Sequence, residues 1–79
     1  MIKVLFFAGV KEQIGQDFIE LDDRGWTVGQ LKHHLLEKYP QASESLANVM
    51  VSVNEEFADD GTKLHENDQV AIIPPVCGG

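Results

Sequence analysis

Apolar and polar positions alternate at both ends of this chain and follow a helical spacing in its middle. Ile2 to Ala8 is rich in β-branched and aromatic residues and predicts a strand. Alternation sets Ile2, Val4 and Phe6 on one side and Lys3, Leu5 and Phe7 on the other. Both sides are apolar beyond Lys3, which places this strand at the centre of a sheet. One side faces the core, and the other offers Leu5 and Phe7 as a patch for a partner. Gly9 to Gly15 reads as a short helical turn, with Val10 and Ile14 four apart and Gly15 as its stop. Asp17 to Leu21 predicts a second strand, with Phe18 beside Glu20 on one side and Ile19 beside Leu21 on the other. Asp22 to Gly25 is a turn.

The next segment carries the clearest local signal. Thr27 and Gln30 stand at capping-box spacing, with Trp26 and Leu31 at the positions of a hydrophobic staple. The stripe Val28, Leu31, Leu35, Tyr39, widened by Leu36, predicts an amphipathic helix that Pro40 ends near Tyr39. Gly29 weakens it slightly. Ser43 to Asn48 reads as a short turn led by a serine cap. Val49 to Val53 is a third strand, Asn54 to Glu56 a turn, and Phe57-Ala58 a short return. After the turn Asp59 to Gly61, Leu64 is expected to plug the core. Glu66 to Asp68 turns into a last strand, Gln69 to Ile73, with Val70 and Ile72 on one face and Ala71 and Ile73 on the other.

This order predicts an α+β fold in which a hairpin-like pair of strands opens the chain and one long helix crosses the sheet. The last strand then returns beside the first, parallel to it, by a right-handed crossover. That is a β-grasp, or ubiquitin-like, roll with the helix on one face. A ferredoxin-like split βαβ is the alternative, disfavoured by the single long helix. Residues 1–73 form the domain, and residues 74–79 form an extended, flexible reactive tail.

Composition narrows what such a domain does. The apolar share, 43%, is that of a globular chain. Its formal charge of −7 argues against nucleic acid and fits a partner with a basic surface. No stretch approaches a membrane span, and no signal peptide opens the sequence. A single cysteine, Cys77, excludes an internal disulfide and a cysteine-ligated cluster. These features predict a soluble, cytoplasmic protein.

Little else in the sequence carries chemistry. His33 and His34 are adjacent on the helix and diverge, and His65 stands alone in a loop, so no metal set is expected. Gly9 and Gly15 match neither phosphate-loop pattern. The carboxylates Glu55, Glu56, Asp59 and Asp60 fall in turns and read as solvating. What remains is the end of the chain: Pro74, Pro75, Val76, Cys77, Gly78, Gly79. Two prolines end strand pairing and keep the exit extended. Six extended residues reach about 20 Å. Gly78 and Gly79, without side chains, suit a channel too narrow for any other residue. The carboxylate of Gly79 is inert until activated, so the reacting group is the terminus and the active site belongs to a partner. Cys77 reads either as a nucleophile beside that terminus or, preferably, as a small residue that fits the channel.

Several of these residues carry a resemblance. Val4-Leu5-Phe6-Phe7-Ala8, the Gly15 stop, Thr27-Val28 with Leu31, Val53-Asn54, and Asp68 to Val76 before Gly78-Gly79 resemble the small subunits of molybdopterin synthases. These belong to the β-grasp sulfur carriers. The resemblance spans nearly the whole chain, and departs at Cys77, where serine or threonine is expected, and at Asn67-Asp68, where Gly-Asp is common. It implies that an adenylyltransferase similar to ubiquitin-activating enzymes uses ATP and magnesium to form an acyl-adenylate on Gly79. Sulfur from a persulfide then makes a thiocarboxylate, with Gly78 giving access. It implies transfer of that sulfur to cyclic pyranopterin monophosphate in the large subunit of a heterotetrameric synthase, with no cofactor bound by this chain. Phe7, Phe57 and Ile73, by alternation, are expected to form one hydrophobic patch. With Pro74, Pro75, Val76 and Cys77 they make the partner interface. A carrier for thiamine or cysteine synthesis, a ubiquitin-like modifier and a binding domain with an inert tail remain open.

Overall fold

A computed structural model describes residues 1–74 of the chain, so the expectations for Pro75, Val76, Cys77, Gly78 and Gly79 lie outside the described residues. Nine elements follow in order: β1 (Ile2–Phe6), α1 (Ala8–Ile14), β2 (Phe18–Leu21), α2 (Val28–Lys38), a 3₁₀ turn (Pro40–Ala42), α3 (Ser43–Ala47), β3 (Met50–Val53), β4 (Glu56–Ala58) and β5 (Gln69–Ile73). The strands form one sheet in the order β2-β1-β5-β3-β4. β5 lies between β1, which it pairs in parallel from Lys3↔Gln69 to Phe6↔Ile72, and β3, which it pairs antiparallel from Met50↔Ile73 to Val53↔Val70. First and last strands parallel at the centre of a mixed sheet, with one long helix, make a β-grasp roll.

The alternation predicts the core faithfully. Ile2, Val4 and Phe6 of β1, Val70 and Ile72 of β5, and Val51 of β3 are buried with Leu31 and Leu35 of α2 in one cluster. Leu64 joins it from the loop before β5, as expected of a plug, and Phe6 meets Tyr39 edge to face at 6.2 Å. Thr27 caps α2 with both halves of the capping box: the Gln30 N–H donates to the Thr27 hydroxyl, and the Thr27 N–H to the Gln30 side-chain oxygen. The segment from Asp59 to Leu64 folds against the start of this helix, where the Val28 and Gly29 N–H groups donate to the carbonyls of Thr62 and Asp60. The Gly29 Cα therefore sits so close that an added Cβ would lie 3.2 Å from the Asp60 carbonyl oxygen. The glycine admits the loop. Among the described residues, no helix is long and apolar enough to cross a membrane.

Four local expectations need correction. β1 stops at Phe6 and not at Ala8, because Ala8 takes a left-handed backbone angle, φ 50°, and begins α1. β3 begins at Met50, with buried Val49 just before it. Glu56 belongs to β4, so the turn is the two-residue hairpin Asn54-Glu55, both at positive φ, 52° and 71°. Ser43 caps nothing: α3 continues from the 3₁₀ turn begun by Pro40, and no side chain caps it.

Candidate functional site

The helices cover one face of the sheet, and the other face is open. Register defines that open face. One row crosses all five strands as Phe18, Leu5, Ala71, Ser52 and Phe57, and the next pairs Ile73 with Met50. Phe7 follows β1 one position beyond its last paired residue, with extended angles, φ −133° and ψ 154°. Phe7 is 45% exposed and Phe57 72% exposed, while Phe18 and Met50 are each about half-exposed. For so short a chain this is a large apolar surface in water.

Several contacts shape it. Phe7 and Leu5 form one end of a shallow cleft of about 430 Å³, with Ser52 and Ala71 along its floor and Asn54, Glu55 and Gln69 at its far end. At one margin the Lys3 ammonium lies 4.4 Å from the centre of the Phe18 ring, a cation–π contact. At the far end Asn54 ties the hairpin to the start of β5. Its side-chain amide donates to Asp68 Oδ1 at 2.9 Å, and its side-chain oxygen accepts the Gln69 N–H at 3.0 Å. Asp68 Oδ2 also accepts the His65 N–H at 2.7 Å. This network fixes where β5 begins, and therefore where its other end delivers Pro74.

The sequence-predicted patch divides accordingly. Phe7, Phe57 and Ile73 all lie on the open face and none in the helix-facing core. They do not form one contiguous cluster: β3 runs between Phe57 and Ile73, with Ser52 and Met50 between them. Pro74 follows β5 directly and is half-buried. Sequence reasoning did not nominate Phe18 and Met50. Phe18 shares its side of β2 with Glu20, a polar residue that marks an outward face, and this was the available signal. Met50 stands at a strand start, where alternation has little length to act.

A second cleft, about 530 Å³, runs along α2 on the opposite side of the domain, lined by Trp26, Gln30, His33, His34 and Glu37 among others. The Trp26 and His34 rings meet there with centroids 4.9 Å apart and planes tilted by 49°. His34 Nε2 is buried without a hydrogen-bond partner, and burial pushes this imidazole below its ordinary pKa, with Lys38 and Arg24 adding to the effect. His33 pairs with Glu37 at 2.6 Å, one turn along. Among the described residues no three His, Cys, Asp or Glu side chains come together in a set that could hold a metal ion.

The open face thus exposes several large apolar side chains, and β5 runs from it to Pro74. The ThiS family model matches residues 4–79. The molybdopterin synthase sulfur carrier subunit of Dictyostelium discoideum is 44% identical, over 98% of this chain and 94% of that protein. The crystal structure of SAMP1 from Haloferax volcanii superposes with a TM-score of 0.78 at 26% identity, covering 99% of this chain and 98% of that one. A chain from the complex of subunits 1 and 2 of the molybdopterin-converting factor from Helicobacter pylori superposes with a TM-score of 0.68 at 28% identity, covering 99% of this chain and 97% of that one.

Proposed function

The chain belongs to the ThiS family, and from that premise we propose that it is the sulfur carrier subunit of a molybdopterin synthase, with the sulfur carried on Gly79. The observation that carries this reading is kinship along the whole chain with sulfur carrier subunits, joined to a sequence that closes on Gly78-Gly79. The domain serves as the handle and residues 74–79 as the arm that enters each partner's active site.

In this reading an adenylyltransferase binds the open face and receives the arm. The Gly79 carboxylate attacks the α-phosphorus of ATP, magnesium neutralises the phosphates, and pyrophosphate leaves. A persulfide on a donor then attacks the acyl carbon and AMP leaves. A second thiol cleaves the acyl disulfide, which leaves a thiocarboxylate on Gly79 and a disulfide on the donor. The charged carrier docks by the same face onto the large subunit, whose subunit-1-to-subunit-2 assembly in Helicobacter pylori supports this partner class. There the thiocarboxylate sulfur attacks an oxygen-bearing carbon of cyclic pyranopterin monophosphate, and the C–O bond at that carbon breaks, its oxygen leaving as water or as a phosphate ester oxygen. Water then cleaves the resulting thioester at its acyl carbon, leaving the sulfur on the pterin and a carboxylate on Gly79. Two carriers per dithiolene fit a heterotetramer of two small and two large subunits, acting in the cytoplasm. Phe7, Phe57 and Ile73, set apart on the open face with Met50 and Ser52 between Ile73 and Phe57, contribute to a docking surface spread across that face. Pro74, Pro75, Val76 and Cys77 occupy the partner's channel, and Gly78 gives access. The pterin and nucleotide sites belong to the partners.

Intact-mass measurement tests this. The Cys77→Ser chain is incubated with the adenylyltransferase, ATP, magnesium and a persulfide donor. Replacement of one oxygen by sulfur, mapped to the terminal peptide and trapped by a thiol alkylator, is the expected result. An unmodified Gly79 beside a control carrier that is converted would overturn it. Isopeptide-linked Gly79 on cellular lysines would instead identify a modifier.

A further inference from the structure

Two adjacent residues at the head of α1 depart from what local structure favours. Phe7 occupies the N-cap position of that helix, where a serine, threonine, aspartate or asparagine would accept a backbone N–H; the phenylalanine makes no side-chain cap. Ala8 follows at φ 50°, in the left-handed region that a Cβ disfavours. Gly9 stands next in the chain and could take that conformation freely, yet it is not among the positive-φ glycines. Both departures have one geometric result. β1 alternates its side chains, so Phe7 falls on the open face, while Val10, three residues on, is fully buried in the core. The chain must cross from one side of the sheet to the other between them, and the left-handed turn at Ala8 does this. The Phe7 carbonyl is held by the Lys11 N–H and the Phe6 N–H by the Asp17 carbonyl. The backbone on both sides of the Phe7 ring is therefore pinned.

We infer that Ala8 is a positioning residue for docking. Its restrained left-handed backbone fixes the direction in which Phe7 projects from the open face, and the chain gives up local stability there to keep that aromatic ring preset. Strain of this kind persists where the surrounding structure over-determines it, and it gathers at sites of function. This inference rests on the reading that Phe7 contacts the large subunit. The methyl group of Ala8 is what narrows the backbone choice. Glycine at this position is compatible with φ 50° but also admits many other angles.

Three variants test it against the purified large subunit, with melting temperature measured beside affinity. Ala8→Gly is expected to melt at or above the parent temperature and to bind about 2- to 10-fold more weakly, the ordering cost of one side chain. A purely structural role for Ala8 would not separate the two readouts in this way. A synthetic chain with Ala8→D-Ala, whose Cβ favours positive φ, is expected to raise the melting temperature and restore parental affinity or better. Phe7→Ala is expected to weaken binding more than Ala8→Gly. If Phe7→Ala loses affinity while Ala8→Gly binds as the parent does, the positioning role is wrong and the docking reading stands. If Phe7→Ala binds as the parent does, both fall.

Discussion

Phe57 offers the sharpest separation between stability and binding. It lies on the edge strand β4, paired opposite Ser52, with its ring 72% exposed. About 140 of the roughly 200 Å² of a phenylalanine therefore stay open to water in the free domain. At about 25 cal/mol per Å² this area is worth about 3.5 kcal/mol when fully covered. Lost freedom and incomplete coverage on docking reduce it to about 2 kcal/mol, or about a 30-fold rise in Kd for Phe57→Ala. The buried remainder, about 60 Å², contributes about 1.5 kcal/mol to folding. A domain of this size then loses about 6–12 °C in melting temperature. Titration calorimetry at 25 °C with the large subunit reads the first quantity, and circular dichroism melting reads the second. A Kd within about twofold of the parent, with the fold intact, would refute the claim that the open face is covered by the partner at β4.

Three further outcomes are expected. Thr27→Ala removes the hydroxyl half of the α2 capping box, leaving the backbone N–H of residue 27 to donate to the Gln30 side chain, and should cost about 1 kcal/mol by urea unfolding, with no change in affinity for the large subunit. Leu64→Ala leaves a hole under the loop before β5 and should cost about 2–5 kcal/mol, a large part of the stability of so small a domain, read as an earlier urea midpoint. His34, held below the ordinary imidazole value of 6.5 by burial, resists protonation when folded, whereas the unfolded chain takes the proton at that ordinary value. Its contribution is complete above 6.5 and is lost as pH falls through that value towards the folded pKa. Between pH 7.5 and 5.5, each a roughly chosen end of that window, the parent should lose more stability than His34→Gln, and equal losses would contradict the assignment.

The fold was legible because both faces of β1 and β5 are written in alternation and α2 carries its own cap and stripe. The interior positions Val4, Val70, Leu31 and Leu35 all follow from period alone. What escaped was set by contacts distant in sequence. Nothing near Gly29 announces that the Asp60 carbonyl will arrive beside it, so the glycine read as a weak helix residue when it is a clearance. Ser43 looked like a cap because the 3₁₀ turn begun by Pro40, which already starts the helical path, leaves no periodicity to read. In the candidate site, Phe7, Phe57 and Ile73 were placed correctly on the open face by alternation. Phe18 was marked as outward-facing by Glu20 on its side of β2, but only register, which sets it opposite Leu5, joins it to the open face. Ala8 looked like the last residue of a strand, because a backbone angle leaves no mark on an alternation pattern.

The central position of β5 has a mechanical consequence. The arm leaves from a strand held on both edges, by β1 and by β3, and not from a strand at the margin of the sheet. Traction applied beyond Pro74 would run along β5 and across its hydrogen bonds, which lie near perpendicular to the strand on its antiparallel side. Both ladders must then shear together, where an edge strand under a sideways load would peel bond by bond. A pull from that end therefore meets two ladders at once, which resists unravelling more than a single edge ladder would.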